Sequence, residues 1–323
     1  MISLFKEKSP VSVFWLIIVC FGLHLHSLTD PPKIVTSPSD GFIYFLLHPF
    51  QNADVYSTSL VYVLIIFLLA LQLNFMLSSL RMFPKPSYTP ALAFIIFSAL
   101  IPAFNVINAA LLACILVIWI LYSACRLYAA PNSKTSIYNF GLLCGLCVIL
   151  YFPSVPLIII AFIALAIIRP FHINEWFVLF FGMITPAYFL AGYLFLTDQF
   201  NLVPVPQQLF DVIKLPLQPL LIIISLITAS LATVWGIFWV QSSATNVLIQ
   251  VRKGWSVFLV SLLFITPVAF FMKDAFPAVL LLAAIPAACY TGFAFANSRN
   301  ILPVVFFWVL IGLSIYNNWF AKY

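Results

Sequence analysis

Apolar residues run along this chain in long blocks, and polar residues collect in short breaks between them. A helix that crosses the hydrocarbon of a bilayer needs roughly 20 apolar residues. With charged residues, Pro, Asn and Ser taken as punctuation, the pattern predicts spans at 11–28, 57–79, 89–104, 107–125, 138–152, 154–168, 176–196, 217–240, 255–271, 276–296 and 301–317. Two pairs are tight hairpins, turning near Pro102 to Asn108 and near Tyr151 to Pro156, with arms short enough to be re-entrant. The expected fold is an all-α polytopic transmembrane bundle of about ten or eleven spans, a single integral membrane domain over residues 1–323.

Two connections are longer, 29–56 and 197–216. The first opens T-D-P-P-K, which is not helical at Pro31 and Pro32. Ser39 or Asp40 is then placed to cap a short helix from Gly41 to about His48, lying along the membrane surface. The second carries proline punctuation and then one or two amphipathic turns. Lys6 and Lys8 precede the first apolar run and no small-x-small cleavage site follows it, so it reads as an uncleaved signal-anchor.

Composition agrees with the pattern. Apolar residues make up 64% of the chain and charged residues 7%, against roughly 25% charged in an average soluble domain. The mean hydropathy is +1.15. These values exclude a soluble globular domain, a disordered chain and a disulfide-stapled secreted domain. The six cysteines fall in or at the ends of apolar stretches. Cys144 and Cys147 form a C-x-x-C inside a predicted span, with neither a second ligand pair nor a βαβ context, so the reading is packing, with no metal and no cofactor. Aromatics, 17% of residues, are read as an interfacial belt and helix packing.

Charge sets the expected orientation. With the N-terminus cytoplasmic, Lys6, Lys8, Arg81, Lys85, Arg126, Lys134, Arg169, Arg252, Lys253 and Arg299 lie inside, and Lys33, Lys214, Lys273 and Lys322 outside. That asymmetry follows the positive-inside rule. The same threading puts all six aspartates outside, and Glu7 and Glu175 inside. The net charge of +6 is scattered one or two residues per loop, which excludes a nucleic-acid patch. No charge falls in the middle of a predicted span, which disfavours proton-driven transport. Gln72 and Asn74 are polar residues near the inner end of the second span.

Two groups of residues are candidates for chemistry. On the outer side His24, His26, Asp30, Asp40, His48 and Asp54 cluster in sequence. Asp30 or Asp40 is suited to act as general base on a lipid-borne substrate, with His48 contacting it. Asp40 is equally a helix cap, and His-x-His is a poor chelate on a helix. On the inner side R-P-F-H-I-N-E-W joins two spans. Glu175 suits the start of a helix and is grouped with Arg169, and with Arg252 and Lys253 from Q-V-R-K-G-W, as a substrate- or lipid-binding set in which the basic residues are placed to touch lipid phosphates. The structural reading of that segment is a snorkelling, topogenic loop. No nucleotide-binding, zinc-protease or serine-hydrolase motif is present.

The segments R-P-F-H-I-N-E-W-F-V-L-F-F-G-M-I-T-P (169–186) and N-F-G-L-L-C-G-L-C-V-I-L-Y-F-P-S (139–154) resemble the signature of an uncharacterised multi-pass inner-membrane family of Bacteroidota, with M-F-P-K-P-S (82–87) and V-R-K-G-W (251–255) in register. That resemblance implies a bacterial inner membrane location and no particular activity. A second resemblance is to C-type integral-membrane glycosyltransferases that use polyprenyl-phosphate sugars. It rests on the many-helix layout, on Asp30 and Asp40 in an outer first loop, and on Gly141 and Gly145 ahead of Pro153. It implies an envelope-biogenesis protein that binds a polyprenyl-phosphate-type substrate. The first loop has only 28 residues and lacks an adjacent acidic pair, which implies a non-catalytic relative or a lipid-handling subunit. A transporter or lipid flippase, and a membrane scaffold with a protein partner, are the other two classes compatible with the sequence.

Overall fold

The computed structural model describes residues 2–7, 9–35, 42–43, 47, 49, 55–130, 133–198, 220–243, 247–271, 277–297 and 301–320. Within them the chain forms eleven α-helices: α1 Pro10–Leu23, α2 Val55–Ser79, α3 Thr89–Ser98, α4 Ala109–Arg126, α5 Ser133–Leu150, α6 Pro156–Ile168, α7 Ile173–Leu196, α8 Leu220–Ser243, α9 Ile249–Phe271, α10 Val279–Ala296 and α11 Leu302–Trp319. Eight of these, α2, α4, α5 and α7 to α11, are long and apolar enough to cross a membrane. The protein is an all-α polytopic bundle and a multi-pass membrane protein.

Each helix lies in one of the apolar blocks, but several ends differ from the expectation. α5 starts at Ser133 and α9 at Ile249, not at 138 and 255. Lys134, Arg252 and Lys253 are good helix formers, so the helices continue past the apolar stretch into the polar zone. α1 ends at Leu23, and Leu25–Leu28 tightens into a 3-10 turn. The block 89–104 is helical only as far as Ser98. Pro102 supplies no N–H and keeps Ile101 extended, so the chain breaks into a 3-10 turn at Pro102–Phe104 and a two-residue strand, β2 (Val106–Ile107). β2 pairs in parallel with β1 (Lys33–Ile34). Asn108 then caps α4 through Leu111 N, 2.9 Å away.

α3 is the centre of the bundle. All ten of its residues are buried. It packs on α10, where a Cβ on Gly292 would lie 2.6 Å from Pro90 Cα, so only glycine lets the two backbones come this close. Non-helical backbone at membrane depth must find partners inside the protein. Here α11 and α2 supply them. The Ala99 carbonyl accepts from Ser314 Oγ (2.8 Å) and Asn318 Nδ2 (2.6 Å), the Leu100 carbonyl from Asn317 Nδ2 (3.0 Å), and the Phe104 carbonyl from Tyr62 Oη (2.9 Å).

α5 and α7 make the other close contact. Gly141 lies against the Leu179 carbonyl and Gly182 against the Tyr138 carbonyl, each 2.5 Å from a built Cβ, and Gly145 abuts the Met183 backbone. This is small-residue packing of the membrane type, in which dispersion and backbone approach replace a hydrophobic driving force.

Candidate functional site: a basic cavity at one end of the bundle

The C-terminal ends of α2 and α4 and the N-terminal ends of α5 and α9 surround a cavity of about 760 Å³. Arg81 and Arg126 line it together with Trp119, Tyr122, Asn139 and Gln250, and no carboxylate is among the described residues of its wall. Tyr122 and Arg126 are one turn apart on α4. Arg126 Nη1 donates to Tyr122 Oη at 3.2 Å, and its guanidinium carbon stands 5.4 Å from the ring centroid. Trp119 meets Tyr122 edge-on at 5.7 Å. A shallow cleft between α2 and α4 shares Trp119 and Tyr122 with the cavity and continues to Phe75, Met76 and Ile118. The basic end of the site therefore adjoins an apolar strip on the outside of the bundle.

Arg81 ends α2 in an unusual way. Met82 N donates to the Leu77 carbonyl (3.1 Å) and Arg81 N to the Ser78 carbonyl (3.2 Å), the paired pattern of a Schellman cap. Arg81 holds the left-handed position of that cap at φ 51°, where glycine is usual. A side chain there costs roughly 1–2 kcal/mol relative to right-handed backbone. Arg81 also lines a second, smaller cavity of about 400 Å³, with Asn74, Ser78, Phe83 and Ser87.

The inner candidates of the sequence stand behind this cavity. Arg169 Nε lies 3.1 Å from Glu175 Oε2, with side chains 20% and 10% exposed. The pair is Coulombic and poorly aligned, for neither atom makes a hydrogen bond. Arg169 Nη1 donates to the Leu127 carbonyl at 3.1 Å. Lys253 Nζ donates to the Ile168 carbonyl at 2.9 Å and stands 5.5 Å from the Tyr128 ring centroid. These groups grip the turn Leu127–Ala129, and Ala129 and Ala130 form part of the cavity wall. Arg169, Glu175 and Lys253 thus hold the wall from behind. Arg252 is exposed and is not in the wall, although Gln250 and Val251 are.

At the other end, Asp30 is exposed and its carbonyl accepts from Asn105 Nδ2 at 3.1 Å. His24 and His26 are buried, and each turns Nδ1 to a carbonyl of its own chain segment, Cys20 and Leu23. Asp40, His48 and Asp54, with the expected helix from Gly41, lie outside the described residues except for isolated positions; the same holds for most of 197–216. Among the described residues no group of three metal-ligating side chains occurs. Ser59 Oγ donates to the Ser27 carbonyl at the start of α2. Arg81 ends the same helix about 33 Å away at 1.5 Å per residue, so Asp30 and the cavity occupy opposite ends of the bundle.

Arg81 and Arg126 entered the sequence reading only as topology markers. One local signal was available: W-x-x-Y-x-x-x-R at 119–126 sets a basic residue beside aromatics at the end of a span. No family model, curated protein or solved structure matches the chain.

Proposed function

We propose that this is a bacterial inner-membrane protein of envelope biogenesis that binds a lipid-linked substrate through its phosphate. The observation that carries the reading is the cavity with Arg81 and Arg126, an uncompensated positive wall next to an apolar cleft. Arginine matches phosphate bidentately, and the exposed rings of Phe75 and Trp119 offer the hydrocarbon of the same molecule a place at the bundle surface. A polyprenyl phosphate, a single anionic head on a long apolar chain, has this chemistry. The positive-inside asymmetry of the sequence supports a cytoplasmic side for the cavity.

A second reading, lipid flippase, is favoured by one observation. α3 is a half-length helix in the centre of the bundle, followed by non-helical backbone, and interrupted helices are a feature that transporters use around their substrates.

Native mass spectrometry of gently extracted protein tests the first reading. The expected result is a stoichiometric adduct of a phosphate-bearing lipid, reduced about 10- to 100-fold by Arg81→Ala or Arg126→Ala, the loss of one charge-assisted contact. A clean protein mass, or a second protein subunit in place of lipid, refutes it and favours the scaffold class.

A further inference from the structure

The smaller cavity beside Arg81 has three uncharged polar side chains in its lining, Asn74, Ser78 and Ser87. Asn74, on α2, is 4% exposed and lines this cavity one turn above Ser78. An amide in the wall of such a chamber presents two donors and an acceptor to a group that enters it. Ser87, half engaged with Thr89 Oγ1 at 3.1 Å, closes the far side.

The lining decides what enters. Asn74, Ser78 and Ser87 offer both donors and acceptors, which suits hydroxyl groups. No carboxylate is among the described residues of the wall, and Arg81 stands at the boundary, so an ammonium headgroup meets repulsion from it. Arg81 also faces the larger cavity, and its left-handed backbone holds it at the junction of the two.

Resting on the phosphate reading above, we infer that the ligand is a phosphodiester lipid with an uncharged, hydroxyl-bearing headgroup. Its phosphate sits at Arg81 and Arg126, and its headgroup enters the chamber at Asn74.

The test uses the full-length protein with three lipid probes of known composition, titrated by native mass spectrometry. Phosphatidylglycerol carries the hydroxyls. Phosphatidylethanol has the same charge and none. Phosphatidylethanolamine carries an ammonium. The expected order is phosphatidylglycerol over phosphatidylethanol by about fivefold for each hydrogen bond formed, with phosphatidylethanolamine weakest. Asn74→Leu brings the first ratio to about one, and Ser78→Ala, a smaller change, moves it in the same direction. If phosphatidylethanol binds in an Arg81-dependent way and phosphatidylglycerol binds no better, the headgroup inference is wrong while the phosphate reading stands. If no probe binds in an Arg81-dependent way, both are wrong.

Discussion

Arg169 holds the carbonyl of Leu127, 42 positions earlier in the chain, at 3.1 Å, and with it the turn that walls the cavity. Glu175 is the counter-charge that keeps the guanidinium there. Glu175→Gln is therefore expected to destabilise the protein by about 1–3 kcal/mol, the cost of stranding a half-buried charge. Thermal unfolding in detergent reads that loss. Lipid bound per folded molecule changes little, because Glu175 does not face the cavity; a large drop in affinity at unchanged melting temperature would place it in the binding surface instead.

Arg81→Gly separates stability from function. Glycine relieves the left-handed backbone, and the variant is expected to gain about 0.5–1 kcal/mol after the extra entropy of its unfolded chain. The same variant loses lipid binding. A melting temperature that falls together with binding would mean that the side chain, not the backbone, stabilises the end of α2.

At the α5–α7 contact, Gly145→Ala must push α7 away from α5, since the new methyl group meets the Met183 backbone. Overpacking of this kind costs about 1–3 kcal/mol. Gly192, on α7 with open space around it, is the control: Gly192→Ala is expected to be as stable as wild type or up to about 1 kcal/mol more stable. Equal melting temperatures for the two variants would show that α7 is loosely held.

The transferase class makes its own demand on the far end of the bundle. If Asp30 or Asp40 is a general base, replacing it with Asn cuts turnover by roughly 10²- to 10⁴-fold and leaves lipid capture at the cavity intact. Unaltered function and abundance in Asp30→Asn and in Asp40→Asn removes that class.

The helices were legible in the sequence because a spanning helix needs an apolar run of fixed length, and the charge-free blocks supply it. Their ends were less so, since Lys134, Arg252 and Lys253 are breaks in hydropathy but not in helix propensity. The end of α3 was hidden for another reason. The block 89–104 is apolar throughout, and what permits a break at Ser98 is a set of donors on α11, which no local pattern in 89–104 can announce. The cavity shares this property. Arg81 and Arg126 are each ordinary inner-end basic residues, and only the packing of α2 against α4 brings them to one wall. Lys253 was readable as a neighbour of Arg169 by charge, but not as the donor to the Ile168 carbonyl.

The clasp on α3 also imposes an order on biogenesis. A membrane protein is threaded into the bilayer from its N-terminus, so Ala99 and Leu100 emerge well before Ser314, Asn317 and Asn318, more than 200 residues later in the chain. Until the ribosome has delivered that last segment, two carbonyls in the middle of the protein have no donors. The α3–α4 hairpin must wait near water, in the insertion machinery or on a helper protein. A nascent chain arrested before residue 301 should hold that hairpin in a protease-accessible state, and completion of α11 should seal it.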